Sequence, residues 1–296
     1  MHSTRILPAE TRRRLTGIVF VAPAMIFVAI FFTIPLVMMV WMSLHKWSLF
    51  GEHRWTGFAN FATLFSDAAF GRSVLFTLKY TLLVTPAIFI VALVLTLLVE
   101  KRRSAVGIFR TAYFLPVVIG FGVSSLLWSW MYNSQLGVFD WLLVSLHIAK
   151  TPVQFFSSGK SALASVIFMV VWKTAGLNMI LLLVGIQAIP GELHEAATVD
   201  GAGWWRRLRS ITLPLMRRTF ALALVLSVAG SMLAFDQFYI MTNGGPENTT
   251  ITVVYEIYNS AFVHFRLGYA STLSIALLVI LLVISVVQMY LLREHD

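Results

Sequence analysis

The segment EAATVDGAGWWRRLRSITLPLM, residues 195–216, interrupts a chain that is otherwise strongly apolar. The 296 residues are 58% hydrophobic and 12% charged, with a mean hydropathy of +0.83. Soluble domains carry about 25% charged residues. The deficit extends along the whole chain and indicates an integral membrane protein. Because the sequence contains no cysteine, it excludes both a disulfide framework and a thiolate metal site.

Six apolar stretches are long enough to cross a bilayer, which takes about 20 residues each. They predict an all-α membrane protein with one transmembrane domain over 18–292. The uncharged run from Leu15 to Leu44 is longer than the apolar core of a cleaved signal peptide, so the first span is expected to be retained. The predicted spans are about 18–41, 77–99, 108–131, 162–185, 215–240 and 270–292.

The distribution of positive charge predicts the orientation of these spans. With the N-terminal segment 1–17 in the cytoplasm, fourteen Lys and Arg residues fall on the cytoplasmic side and seven fall outside. This excess follows the positive-inside rule and places the tail 293–296 in the cytoplasm too. It also places loop 186–214, between spans four and five, on the cytoplasmic side. The net charge of +9 therefore needs no nucleic-acid partner.

The charged loop has the signals of two short helices. Pro190 and the acidic residues after it favour a helix start, and Gly201 after Asp200 favours a helix end. In the second helix Trp204, Leu208 and Ile211 are expected to share one face, with the arginines off that face. Two interpretations remain open: an interfacial helix with its arginines on lipid headgroups, or a docking element for a cytoplasmic partner.

The spacing within this loop is specific. After Glu195-Ala196-Ala197 come three residues, then Gly201, then nine residues, then Ile211, one residue and Leu213-Pro214. This pattern resembles the EAA loop of ABC importer permeases. Segments 242–246 (TNGGP) and 267–271 (LGYAS) further resemble the first permease subunit of carbohydrate importers of the maltose and glycerol-3-phosphate type. The resemblance covers about 70–292.

The resemblance implies a permease subunit of an ATP-driven importer in the bacterial inner membrane. Such a subunit moves a sugar or sugar derivative into the cytoplasm by alternating access. The implied partners are a second homologous permease, two copies of a cytoplasmic ATPase, an extracytoplasmic solute-binding protein and membrane lipid. The chain is expected to have no catalytic residues, no metal site and no cofactor of its own, because ATP and Mg²⁺ would bind to the ATPase.

The resemblance also implies the roles of the loop residues. The EAA helix would sit in a groove of the ATPase, with Glu195 as the charged contact and Gly201 as the turn. Ala196 and Ala197 would be the small residues that allow close approach. The full set of coupling residues is Glu195, Ala196, Ala197, Asp200, Gly201, Ile211, Leu213 and Pro214.

Lys173, near the middle of the fourth predicted span, is the first candidate for the substrate path. A lysine at that depth costs about 2.5–3.5 kcal/mol on insertion scales. It could form a structural pair with Asp236, or it could face a cavity and hold a substrate hydroxyl or an anionic group. The second alternative keeps an acidic sugar derivative open as a substrate.

Polar and small residues around Lys173 favour a cavity, although small residues also let helices pack closely. Trp172, Thr174 and Asn178 lie in the same span, and Ser227 and Ser231 share one side of the next. The resemblance to maltose-type permeases adds Val117, Phe121 and Leu177 to the path. Since these three side chains cannot form hydrogen bonds, the substrate contacts must differ from those of a maltose site.

Two other function classes lack their expected features in this sequence. A secondary transporter usually has a coupling-ion site and an inverted repeat, and an intramembrane enzyme needs clustered reactive groups; the sequence shows none of these. Gly159-Lys160-Ser161 ends like a phosphate-binding loop, but Gln154 stands where that motif needs glycine. His194-Glu195 begins like a zinc-protease motif, but Thr198 stands where the second histidine is needed.

Overall fold

The structure is a computed structural model that describes residues 9–48, 51, 53–100 and 106–292. The regular secondary structure of the described residues is helical except for two strands of two residues each. It separates into two compact units, which are described one at a time. The first contains Met1–Ser66 and Ser260–Ile275, and the second contains Asp67–Asn259 and Ala276–Asp296.

The first unit begins with a long apolar helical run. It consists of α1 (Ala9–Val28), a π-helical turn (Ala29–Thr33) and α2 (Ile34–Ser43). Strands β1 (His45–Lys46) and β2 (Arg54–Trp55) then pair antiparallel, and α3 (Ala59–Ser66) follows. The predicted first span, 18–41, lies within this helical run.

The loop after the first span is held against the start of the last long helix, α15 (Leu267–Leu292). The backbone N–H of Gly268 donates to the carbonyl oxygen of Trp47 at 3.0 Å. A Cβ at residue 268 would lie 2.1 Å from the carbonyl oxygen of His45, so only glycine fits this contact. Asn60 Nδ2 also donates to the carbonyl oxygens of Ser43 at 2.8 Å and His45 at 2.9 Å.

The second unit holds most of the helices. In chain order they are α4 (Ala68–Val99), α5 (Val106–Val118), α6 (Phe121–Met131), α7 (Val138–Ser145), α8 (Gly159–Gln187), α9 (Gly191–Val199), α10 (Trp204–Arg207), a π-helical turn (Leu208–Thr212), α11 (Leu213–Leu215), α12 (Arg217–Met232), α13 (Asp236–Met241) and α14 (Val253–Tyr258). A further π-helical turn, Asn259–Val263, starts at the last residue of this stretch, continues in the first unit and precedes α15.

Two of the long helices begin earlier than their apolar stretches, because polar caps lie beyond those stretches. The Asp67 side chain accepts hydrogen bonds from the backbone N–H groups of Ala69 at 2.8 Å and Phe70 at 3.3 Å, so α4 starts at Ala68 instead of 77. Ser158 and Ser161 form a reciprocal capping box at the start of α8.

The predicted span 108–131 is not one straight helix. The chain bends by 98° between α5 and α6, with Ile119 and Gly120 at the break. Pro116 lies inside α5, which continues to Val118, and Gly120 takes an extended conformation as the N-cap of α6. The span is therefore interrupted at the two residues between these helices.

The predicted span 215–240 is also interrupted. Helix α12 ends at Met232, and α13 starts at Asp236. Asp236 lies in the first turn of α13, where a carboxylate is favoured by the helix dipole. The segment Trp204–Leu215 also bends by 67° into Arg217–Met232. By length and composition, the described residues therefore contain four helices able to cross a membrane, or up to six if each bent pair is one span.

Helix α8 is the central helix of the second unit, and two of its glycines allow close approach of its neighbours. A Cβ at Gly176 would lie 2.0 Å from the carbonyl oxygen of Tyr113 in α5, and a Cβ at Gly185 would lie 2.7 Å from Oγ1 of Thr219 in α12. Apolar clusters extend these contacts. The largest contains Tyr80, Trp128, Tyr132, Met169 and Phe238 among its buried residues.

Candidate functional site

A cavity of about 200 Å³ lies between α4, α6, α8 and α12. Six residues predicted for the substrate path line it: Phe121, Thr174, Leu177, Asn178, Ser227 and Ser231. The remaining lining residues are Tyr80, Ile88, Val170, Leu181, Leu226 and Gly230. All of these side chains are uncharged. The cavity thus has a polar side formed by α8 and α12 and walls that are aromatic or aliphatic.

The polar side of the cavity is a chain of hydrogen bonds between α8 and α12. Ser227 Oγ donates to Asn178 Oδ1 at 3.0 Å, and Asn178 Nδ2 donates to the carbonyl oxygen of Thr174 at 3.3 Å. Thr174 Oγ1 and Ser231 Oγ donate to the carbonyl oxygens of Val170 and Ser227, at 2.7 and 2.8 Å. Each hydroxyl that donates inside the protein keeps its acceptor lone pairs. This side can therefore accept hydrogen bonds from hydroxyl groups of a solute.

Aromatic rings form part of the opposite walls. Tyr80 is fully buried, and its hydroxyl accepts a hydrogen bond from Gln237 Nε2 at 3.3 Å. Phe121 stands at the N-terminal end of α6, directly after the break. Ring faces beside hydrogen-bonding groups suit a solute that has both apolar and hydroxylated surfaces, because each surface then finds a matching wall.

Lys173 does not line the cavity. It is only 4% exposed, and its ammonium donates to the carbonyl oxygens of Pro116 at 3.3 Å and Val117 at 3.5 Å, and also to that of Ile119. Its Nζ also lies 4.6 Å from the centre of the Phe121 ring. The sequence left open an ion pair between Lys173 and Asp236. In the structure the Lys173 ammonium contacts backbone carbonyl oxygens instead.

The other predicted substrate-path residues lie outside the cavity lining. Val117 contacts Lys173 through its carbonyl oxygen. The ring of Trp172 packs on that of Trp128, with 5.3 Å between centroids, and Asp236 begins α13.

The lining residues that were not predicted from the sequence include Tyr80 and Ile88. Their spacing, with Val84 between them, puts all three on one face of α4, and a tyrosine within an aliphatic span was a usable signal.

The segment 190–216 has a defined turn between its two helical parts. At the end of α9, Ala202 N donates to Ala197 O at 2.8 Å and Gly201 N donates to Thr198 O at 3.1 Å. This pair of bonds is a Schellman motif, and Gly201 takes the positive φ of +74° that the motif requires. The Arg207 side chain then donates to Thr198 Oγ1 and joins α10 to α9. The turn predicted at Gly201 is present with these contacts.

The predicted coupling residues differ in exposure. Glu195, Ala196, Asp200, Gly201 and Pro214 are exposed, whereas Ala197, Ile211 and Leu213 are partly buried. Of the face predicted for the second helix, Leu208 is buried and Ile211 is half-buried, but Trp204 is 46% exposed.

The C-terminal end of this segment is anchored in the second unit. Met216 is 1% exposed and packs with Ala92 of α4 and with Leu182 and Ile186 of α8. Phe220, one turn into α12, packs against the same cluster. The segment is therefore fixed at this end to α4 and α8, two of the helices that line the cavity.

Comparison with known proteins agrees with this architecture. Residues 56–294 match the family described as "Binding-protein-dependent transport system inner membrane component". The chain is 32% identical over 281 residues to the "Probable ABC transporter permease protein YurN" of Bacillus subtilis, covering 94% of this chain and 96% of that one. It is 31% identical over 282 residues to the trehalose/maltose transport system permease protein MalF of Thermococcus litoralis, with 95% and 94% covered.

A solved structure has the same fold. It is a crystal structure of a bacterial ABC transporter involved in the import of the acidic polysaccharide alginate, with a TM-score of 0.85 and 25% identity. The match covers 97% of this chain and 98% of that one. The fold, the family match and the relatives lead to one assignment: the chain belongs to the family of inner membrane components of binding-protein-dependent transport systems.

Proposed function

We propose that this chain is the permease subunit through which a sugar or sugar derivative enters the cytoplasm by alternating access. The observation that carries the proposal is the cavity between α4, α6, α8 and α12, which combines hydroxyl and amide groups with aromatic walls. The similar MalF protein is a trehalose/maltose permease, and the similar crystal structure is an importer of alginate, a polysaccharide. As a permease, the chain is a transport subunit and not an enzyme.

The polar groups of the cavity support a hydroxylated solute. Asn178, Ser227 and Ser231 provide acceptors within one hydrogen-bonded chain, so their positions are fixed before a solute arrives. Pre-organised polar groups inside an apolar pocket are the usual basis of small-molecule recognition. The side chains that line the cavity are all uncharged. An uncharged saccharide or glycoside therefore fits this part of the path better than an acidic one.

Filling the cavity tests this function. Gly230 lines the cavity, and a Cβ added there meets nothing within 4 Å, so Gly230→Leu should block the path without a backbone clash. The matched control is Gly107→Leu, at another helical glycine with open space around it. The assay is ATP-dependent accumulation of radiolabelled maltose and trehalose in proteoliposomes that contain the complete transporter and its solute-binding protein.

We expect uptake to be lost in Gly230→Leu and kept in Gly107→Leu. Normal uptake by Gly230→Leu would show that the solute does not pass through this cavity. Uptake of a solute that is not a sugar, with neither maltose nor trehalose transported, would contradict the proposed substrate class. Accumulation without any ATPase subunit would favour a secondary transporter instead.

We further propose that segment 186–214 is the coupling loop and lies in the cytoplasm, with both termini on the same side. The partners would be two copies of an ATPase, which bind ATP and Mg²⁺, and a second homologous permease. Three observations support this role: the exposed face of α9, the fixed turn at Gly201 and the anchor at Met216. Glu195 is exposed on α9 and is the proposed charged contact to the ATPase, with Ala196 and Ala197 beside it.

Co-purification tests the coupling loop. Tagged wild-type chain and a Glu195→Lys variant would be extracted from membranes that contain all subunits, with Glu192→Lys on the same helix as control. We expect Glu195→Lys to retain the second permease and lose the ATPase, while Glu192→Lys retains both. If Glu195→Lys keeps a normal amount of ATPase, the arginine-rich segment is better explained as an interfacial helix on lipid headgroups.

A further inference from the structure

The buried ammonium of Lys173 contacts the backbone at the break between α5 and α6. Its partners are the carbonyl oxygens of Pro116 and Val117, in the last turn of α5, and of Ile119, in the break itself. A lysine ammonium has three N–H donors, and here they meet three carbonyl oxygens. No donor of this ammonium is left for a solute.

These carbonyl groups lie where the helix stops, and that of Pro116 accepts one backbone hydrogen bond, from Ile119 N–H at 3.3 Å, which leaves it a second lone pair for the ammonium. The last four carbonyl groups of a helix have no N–H donor within that helix. In the hydrocarbon region no water is available to satisfy them, so a broken helix persists only where another group does so. The positive charge is also favourable at the C-terminal end of α5, which carries the negative end of the helix dipole.

The position of Lys173 on α8 is fixed by packing one turn away. Gly176 lies so close to α5 that a Cβ there would meet the carbonyl oxygen of Tyr113 at 2.0 Å. Helices α5 and α8 are therefore in backbone contact beside the lysine. This contact directs the Lys173 side chain to the end of α5 instead of into the cavity.

The same ammonium also contacts the cavity wall. Its Nζ lies 4.6 Å from the centroid of the Phe121 ring, within the range of a cation–π interaction. Phe121 is the first residue of α6 and lines the cavity. Lys173 thus connects three features: the end of α5, the break, and the aromatic wall formed at the start of α6.

We propose that Lys173 is a positioning residue: it caps the broken end of α5, maintains the bend between α5 and α6, and so fixes Phe121 on the wall of the cavity. It does not bind an anionic group of the solute. In this arrangement α5 and α6 form one interrupted span, and the interruption is held by a side chain from α8.

Spin-label distances across the bend test this inference in the complete transporter, with no solute present. The chain has no cysteine, so two can be introduced at Ile108 on α5 and Trp130 on α6, which are 73% and 74% exposed. A straight helix over this interval would separate the two backbone positions by about 33 Å, at about 1.5 Å per residue. A bend of 98° between the two arms shortens this separation to roughly 22 Å.

We expect Lys173→Met to lengthen and broaden the distance distribution, and Lys173→Arg, which keeps the charge and the donors, to retain the wild-type distribution. Phe121→Leu is the control, since it removes the ring but leaves the carbonyl contacts in place. If Lys173→Met fails to accumulate, Lys173→Gln, which is neutral but has two donors, should give an intermediate distribution.

A wild-type distribution in Lys173→Met or Lys173→Gln would overturn the proposal, as would a disturbed one in Lys173→Arg. If Lys173→Met keeps the bend but fails in uptake, Lys173 acts on the solute instead. Because the distances are measured without solute, this test can fail while the proposed sugar transport stands, and the reverse also holds.

Discussion

Gly176 of α8 and Tyr113 of α5 are in backbone contact: a Cβ at residue 176 would lie 2.0 Å from the carbonyl oxygen of Tyr113 and 3.1 Å from Cα of Phe114. Small residues at helix crossings allow such approach in membranes, where dispersion and hydrogen bonds drive association. This contact holds α5 beside the helix that carries Thr174, Leu177 and Asn178 into the cavity.

Gly176→Ala should destabilise the protein, because backbone atoms at 2.0 Å cannot yield as a flexible side chain would. Overpacking of this kind costs about 1–3 kcal/mol. The measurement is the midpoint of thermal unfolding of detergent-extracted protein, monitored by the amount that remains monodisperse. Gly71→Ala in α4 is the control, since nothing lies within 4 Å of its added Cβ. Equal midpoints for the two variants would contradict the contact.

Asn178→Ala should weaken solute recognition more than it weakens the fold. It removes the acceptor of the Ser227 hydroxyl and one of the groups that face the cavity. A neutral hydrogen bond contributes about 0.5–1.5 kcal/mol, so the KM of uptake should rise up to about tenfold with the maximal rate much less affected. Val184→Ala, on a 62% exposed position of α8, provides the control. An unchanged KM would show that Asn178 does not contact the solute.

The sequence predicted the helical class and half of the residues that line the cavity, because apolar length and the periodicity of polar residues are local properties. Thr174, Asn178, Ser227 and Ser231 could be found as polar or small residues within apolar spans. The capped starts of α4 and α8 were missed, since hydropathy does not register the caps at Asp67 and Ser158.

The environment of Lys173 could not be derived from the sequence. A lysine in a span signals a buried partner, and the natural candidate was the carboxylate of Asp236. The actual partners are carbonyl oxygens, which no side-chain pattern reveals and which are available only because the span breaks at Ile119 and Gly120. The proline at 116 was visible, but spans with proline are often continuous, so the 98° bend required the structure.

Substitutions at Gly201 should follow the cost of a positive φ. The backbone there has φ of +74°, which Asn adopts more readily than Ala, and Ala more readily than Val. The amount of ATPase that co-purifies should therefore fall in the order Gly, Asn, Ala, Val. Gly203→Ala is the matched control: Gly203 has φ of −66° and nothing within 4 Å of its added Cβ. Equal recovery across the Gly201 series would show that the turn is not needed for docking.

Met216→Ala should uncouple ATP hydrolysis from transport while leaving the docking surface in place. Met216 is 1% exposed and packs with Ala92, Leu182 and Ile186, so its truncation leaves a cavity where the loop meets α4 and α8. Such truncations cost about 2–5 kcal/mol. We expect the ATPase to co-purify normally and to hydrolyse ATP, with fewer maltose molecules accumulated per ATP in proteoliposomes. Leu215→Ala, at a 54% exposed neighbouring position, should keep the wild-type ratio. A wild-type ratio in Met216→Ala would mean that movement of the loop reaches the cavity by another route.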